Sequence, residues 1–191
     1  MTAPPAPHAT TSWSATASLS SPGWTQVSHP RVPDADLLTL ELDHDQAPIP
    51  VRLHVQAGRS RPVATWIEAG YQVSSCAAAE LGPGVQCVAQ QDMQVTGGQI
   101  VAVCAQFVFT AGEESVVVAV APTLRELFGL AFTGLHELLG TLQVRRPDGS
   151  PFRALPVPGY TLGTADTWAV LAAGRQTDVH AEERSTDGDH H

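Results

Sequence analysis

The chain contains no lysine and no asparagine, so its ten basic residues are all arginine, set against nineteen acidic residues for a formal charge of −9. Both missing residues have A-rich codons, which a GC-rich bacterial gene explains. An acidic chain repels polyanions over most of its surface, which argues against tight, indiscriminate nucleic-acid binding. Charge itself is scarce at 15%, so Gln, Thr, Ser and Gly must supply much of the polar surface. Three cysteines, Cys76, Cys87 and Cys104, form no C-x-x-C. An odd count would strand one thiol in an oxidising compartment, so they read as reduced, small apolar packers. The longest apolar run, Val116 to Pro122, is far short of the ~20 residues that cross a bilayer. The N-terminus has no basic start and no apolar core, so it does not read as a secretory signal. The expectation is a cytoplasmic protein with no membrane span.

What is present is enough apolar residue, 43% of 191, for one domain with its own core. Residues 1–21 are rich in Pro, Ala, Ser and Thr and read as a flexible arm. A single domain is expected over 22–173, with a core at 24–142 and a wrapping extension at 143–173, then a disordered acidic tail at 174–191. Trp24, just after the Pro22-Gly23 turn, is expected to dock on that domain. Leu37 to Leu42 and Val51 to Val55 read as strands. The second alternates, with Val51, Leu53 and Val55 on one face and Arg52 and His54 on the other. Arg61 to Glu80 reads as a helix through Trp66, Ile67 and Tyr71, although Gly70 and the β-branched residues weaken it. Val85 to Val95, Ile100 to Phe109 and Ser115 to Ala121 read as a meander, turning at Gly97-Gly98 and at Ala111 to Glu114.

Apolar residues from Leu124 to Leu142 then recur at helical spacing, and Thr123 and Glu126 stand as a capping box behind Pro122. Three prolines in 150–163 predict a stretch that wraps rather than pairs, and Asp166 to Ala173 reads as a short helix. The fold class expected is α+β: an antiparallel sheet with a long C-terminal amphipathic helix packed on it.

The order of these elements resembles the α/β/α sandwich of the PsbP-like superfamily, especially its small bacterial DcrB- and LpqN-like members. Trp24 after Pro-Gly, the VRLHV strand, QDMQVTGGQIVAVCAQFVF, SVVVAVAP and the closing helix carry the resemblance, over about 120 residues. No lipoprotein signal is read, and about fifty residues extend past the usual last helix. The resemblance implies non-catalytic accessory, chaperone-like or assembly roles; fold alone does not choose among them.

Catalytic and metal motifs are thin. His136-Glu137-Leu138-Leu139-Gly140 begins like a zinc-protease helix, but Gly140 stands where the second His would complete a metal-binding pair. Asp43-His44-Asp45 groups two carboxylates and an imidazole, yet neighbours on an extended segment point apart. Neither a nucleophile elbow nor a phosphate-binding Gly-rich loop occurs. The reading is therefore an accessory or interaction protein rather than an enzyme, without cofactor or metal. It would act on a protein partner or a second copy of itself through an apolar sheet or helix-groove surface.

One local charge feature supports an alternative. No acid lies between Gln46 and Ile67, where Arg52, His54, Arg59 and Arg61 cluster near Trp66. Arg145, Arg146 and Arg153 form a second cluster beside Phe152. If the clusters adjoin, they would give a stress-response protein a face for single-stranded nucleic acid, the rings stacking on bases. The competing account is a set of surface arginines paired with carboxylates.

Overall fold

A computed structural model describes residues 12–27, 36–43 and 50–160, apart from 96 and 126. The helix expected at Asp166 to Ala173, the acidic tail, residues 1–11 of the arm, Glu126 of the capping box, and His44 and Asp45 all lie outside the described residues. The strands are β1 (Ser14–Thr16), β2 (Trp24–Gln26), β3 (Asp36–Leu42), β4 (Val51–Arg59), β5 (Gln72–Ala78), β6 (Gly82–Val95), β7 (Gly98–Ala111), β8 (Glu114–Leu124) and β9 (Gln143–Arg145). Two helices join them, α1 (Val63–Glu68) and α2 (Phe128–Thr141).

Seven strands form one antiparallel sheet in the order β2-β3-β4-β8-β7-β6-β5, and β1 pairs separately with β9. Side chains alternate across the pleat, so Val51, Leu53 and Val55 share one face with Phe107, Phe109, Val116, Val118 and Val120. There they meet Ala131, Leu135, Leu138 and Leu139 of α2 and Phe152. Each fully buried aliphatic side chain adds about 1.5–3 kcal/mol, which makes this covered face the main core. The opposite face carries a smaller cluster: Trp66 of α1 on Val85, Cys87 and Val108, with Tyr71, Val73 and Val117 beside it. Beyond that cluster this face, the open face, carries Arg52, His54, Gln56, Gln91 and Gln106 among small residues.

The helix-rich sandwich does not form. The described residues are 54% strand and 15% helical, and both helices are short. The apolar pattern from Leu124 is taken first by the sheet: Thr123 pairs with Val103 and Leu124 with Ala102, still within β8. Thr123 is buried, and its hydroxyl donates to the Ala121 carbonyl at 2.7 Å instead of capping a helix. The strand passes Pro122 because the β7–β8 register shifts there, one residue of β7 (Cys104) standing opposite two of β8 (Ala121 and Pro122). A bulge of this kind tolerates a residue without an N–H. α2 therefore begins only at Phe128, with no side-chain cap.

The helix expected over Arg61 to Glu80 is likewise cut to six residues. Gly70 takes a left-handed φ of 85°. Its N–H donates to the Ile67 carbonyl at 2.9 Å, while the Tyr71 N–H reaches Trp66 at 3.0 Å. This Schellman pairing ends the helix and releases Gln72–Ala78 to become the edge strand β5.

The segment after Thr16 lies along α2. Ser20 and Ser21 donate both amide and hydroxyl hydrogens to the Glu137 carboxylate at 2.6–3.1 Å. Trp24 packs against the core, and its ring fills the space where a Cβ on Gly134 would stand.

Candidate binding site

The open face is built on β4, whose even-numbered residues point away from the core. Arg52 lies opposite Glu41 of β3 and pairs with it at 2.7 Å; His54 lies opposite Thr39. Strict alternation would send Asp36 to the covered face. An extra residue in β3 between Asp36 and Leu38 shifts the register, placing Asp36 opposite Gln56. The Asp36 carboxylate then accepts from His54 Nδ1 at 2.9 Å, from the Thr39 hydroxyl at 3.2 Å and from Gln56 Nε2 at 2.6 Å. With its side chain only 8% exposed, it needs these donors to offset lost hydration. The network fixes Gln56 with its amide nitrogen engaged and its Oε1 left as an acceptor.

Next to Gln56 the open face sinks into a cavity of about 710 Å³, within the range of small-molecule sites. Its floor is Val108 and Val117 from β7 and β8, flanked by Gln106 and Gln91. One wall is Trp66 with Tyr71, their rings edge to face at 5.5 Å and 85°. The rim is Gly58, Arg59 and Arg61, where β4 runs into α1. Trp66 is 9% exposed, and its Nε1–H is buried without a hydrogen-bond partner among the described residues. Burial raises the Tyr71 phenol, as do the nearby Cys104 and Cys87 sulfurs, with a Gln106 hydrogen bond opposing them. Tyr71 therefore stays protonated at neutral pH, both donor and acceptor.

The cysteines are free and buried, as small packers should be. Burial raises all three thiols, Cys87 to about 11 and Cys76 further. Neutral thiols are poor nucleophiles.

The first arginine cluster is split along β4: Arg59 and Arg61 lie at the same end of the sheet as Arg145, Arg146 and Arg153, whereas Arg52 and His54 lie toward the other end. Arg59 closes β4 opposite Glu114, which holds Arg146 at 2.7 Å. Arg153 pairs with Glu80 at 2.8 Å by the β5–β6 turn, and Arg145 donates to the Gly149 carbonyl. The aromatic members are not presented outward: Phe152 is 1% exposed, and Arg146 lies over its ring at 5.1 Å. Only Arg59 and Arg61 of the first cluster thus approach the second around the Gly112 turn, interleaved with Glu113 and Glu114. Arg59 and Arg61 have no hydrogen-bond or ion-pair partner among the described residues, unlike Arg52, Arg146 and Arg153.

The large apolar side chains exposed among the described residues, Ile67, Val101, Phe132 and Leu155, belong to four different segments. Sequence reasoning reached the rim and Trp66 but missed Tyr71, Gln56, Gln91 and Gln106. Glutamines carry no motif, and only the strand register brings these three together. No described helix is long and apolar enough to cross a membrane. No protein-family model matches the chain, and no curated protein matches it.

Proposed function

We propose that this protein is a non-enzymatic binding module that takes a small polar ligand on the open face of its sheet. The cavity beside β4 carries this reading: an aromatic wall and apolar floor, with glutamine amides and arginines converging from separate strands. Such a site offers burial for a ligand's body and a few directional groups for its polar end. The open face is preferred to an apolar groove as the working surface because the exposed apolar residues are dispersed.

The test is a ligand-observed NMR screen of small polar compounds, repeated on Gly58→Trp. A Cβ at Gly58 meets nothing within 4 Å, so a side chain can start there without a backbone clash, and an indole at this lining position would obstruct the rim. Compounds that bind the natural chain and are lost in the variant support the reading. An empty screen, or binding that survives the substitution, refutes it.

A second reading, single-stranded nucleic acid at the arginine end, is favoured by the approach of Arg59 and Arg146 from the two clusters to Glu114. Phosphate contacts are strongest at low salt. An oligothymidylate that fails to bind there ends that reading.

A further inference from the structure

We infer that the cavity is selective for small organic anions, compounds with one oxyanion head and a compact apolar body. This rests on the reading that the cavity is the binding site. Three observations carry it.

The first is charge. The chain has nineteen acidic residues and a net charge of −9, yet no described residue lining the cavity is acidic. Removing carboxylates from one concave region of an acidic protein leaves a local field that favours an anion.

The second is pairing. Arg52, Arg146 and Arg153 each hold a carboxylate within 2.8 Å. Arg59 and Arg61, on the rim, hold none among the described residues. A guanidinium presents a planar fork of donors that matches a carboxylate or phosphate. Two of them, one residue apart on either side of Ser60, frame the entrance.

The third is the interior. Below the rim, Val108 and Val117 make an apolar floor, and Trp66 and Tyr71 make a wall suited to a flat body. With the Gln56 Nε2 held by Asp36, its Oε1 has no hydrogen-bond donor among the described residues and adds an acceptor for a ligand N–H or O–H. Polar head at the rim and apolar body inside is the orientation these groups impose.

The probe pair is 2-naphthoate and its neutral isostere 2-naphthamide, titrated calorimetrically into the full chain. Naphthoate is expected to bind at least tenfold more tightly. Arg59→Gln with Arg61→Gln, both exposed positions that leave the core untouched, should remove that preference, bringing naphthoate affinity down to that of naphthamide. Equal affinities for the two probes, or a preference that persists in the double variant, would overturn the anion assignment and leave the cavity reading intact. If neither probe binds while screen compounds are still lost in Gly58→Trp, the ligand class is wrong and the site stands. Binding of either probe that survives Gly58→Trp overturns the site and the inference together.

Discussion

Gly134 is where one atom decides how a helix meets its neighbour. The indole of Trp24 occupies the position its Cβ would take, whereas Gly140 on the same helix faces nothing within 4 Å. Alanine should therefore act oppositely at the two sites. Gly140→Ala should stabilise by up to ~1 kcal/mol through helix propensity. Gly134→Ala should destabilise by about 1–3 kcal/mol, because Trp24 must move out of a packed site. Urea denaturation of both variants checks this, and a stabilised Gly134→Ala would mean that Trp24 does not lie on α2. The helical spacing of the apolar residues was readable here, as was the docking of Trp24. That Gly134 receives it was not, because the partner lies 110 positions away in sequence.

At the scale of elements, two local devices set the geometry. The β3 bulge brings Asp36 to the open face, where it satisfies His54 and Gln56. Asp36→Ala would remove the shared acceptor of His54, Thr39 and Gln56 and should cost about 1–3 kcal/mol in an equilibrium unfolding experiment; an unchanged midpoint would show that the network is not formed. The second device is the strap from Ser18 to Ser21 on α2. The Ser21 hydroxyl and amide, then those of Ser20, hold the Glu137 carboxyl at about 2, well below its ordinary 4.5. A lowered acid stabilises the folded state above its unfolded value and loses that contribution as pH falls. The strap should thus be secure above about pH 4.5 and loosen between 4.5 and 2. Amide shifts of Ser20 and Ser21 should titrate with a midpoint near 2; a midpoint near 4.5 would mean the serines do not engage Glu137.

Legibility differed between elements for physical reasons. The strands of the meander were plain in the sequence because alternation and Gly turns are local signals. The end of β8 was not, since Leu124 fits a helical stripe as well as a sheet, and only pairing with Ala102 decides between them. The long helix over residues 61–80 failed at Gly70, whose left-handed φ was a visible warning in the residue type. Asp36 defeated alternation because a bulge leaves no mark in composition.

For the whole molecule, the decisive property is that the sheet has two unlike faces. One is sealed by α2, the strap and Phe152; the other holds Trp66, Tyr71 and a polar cavity. The acid-free stretch from Gln46 to Ile67 supplied the rim of that cavity, so half of the candidate site was visible as a gap in charge. Its other half depended on strand order, which carries β6 and β7 to the far side of the same depression. The most direct test is chemical-shift mapping with 2-naphthoate on the isotope-labelled chain. The account predicts that the side-chain amides of Gln56, Gln91 and Gln106 and the Trp66 Nε1–H shift together, while the backbone amides of α2 and the strap stay still. Shifts centred on α2 or on the β6–β7 turn, or none at saturating probe, would contradict it.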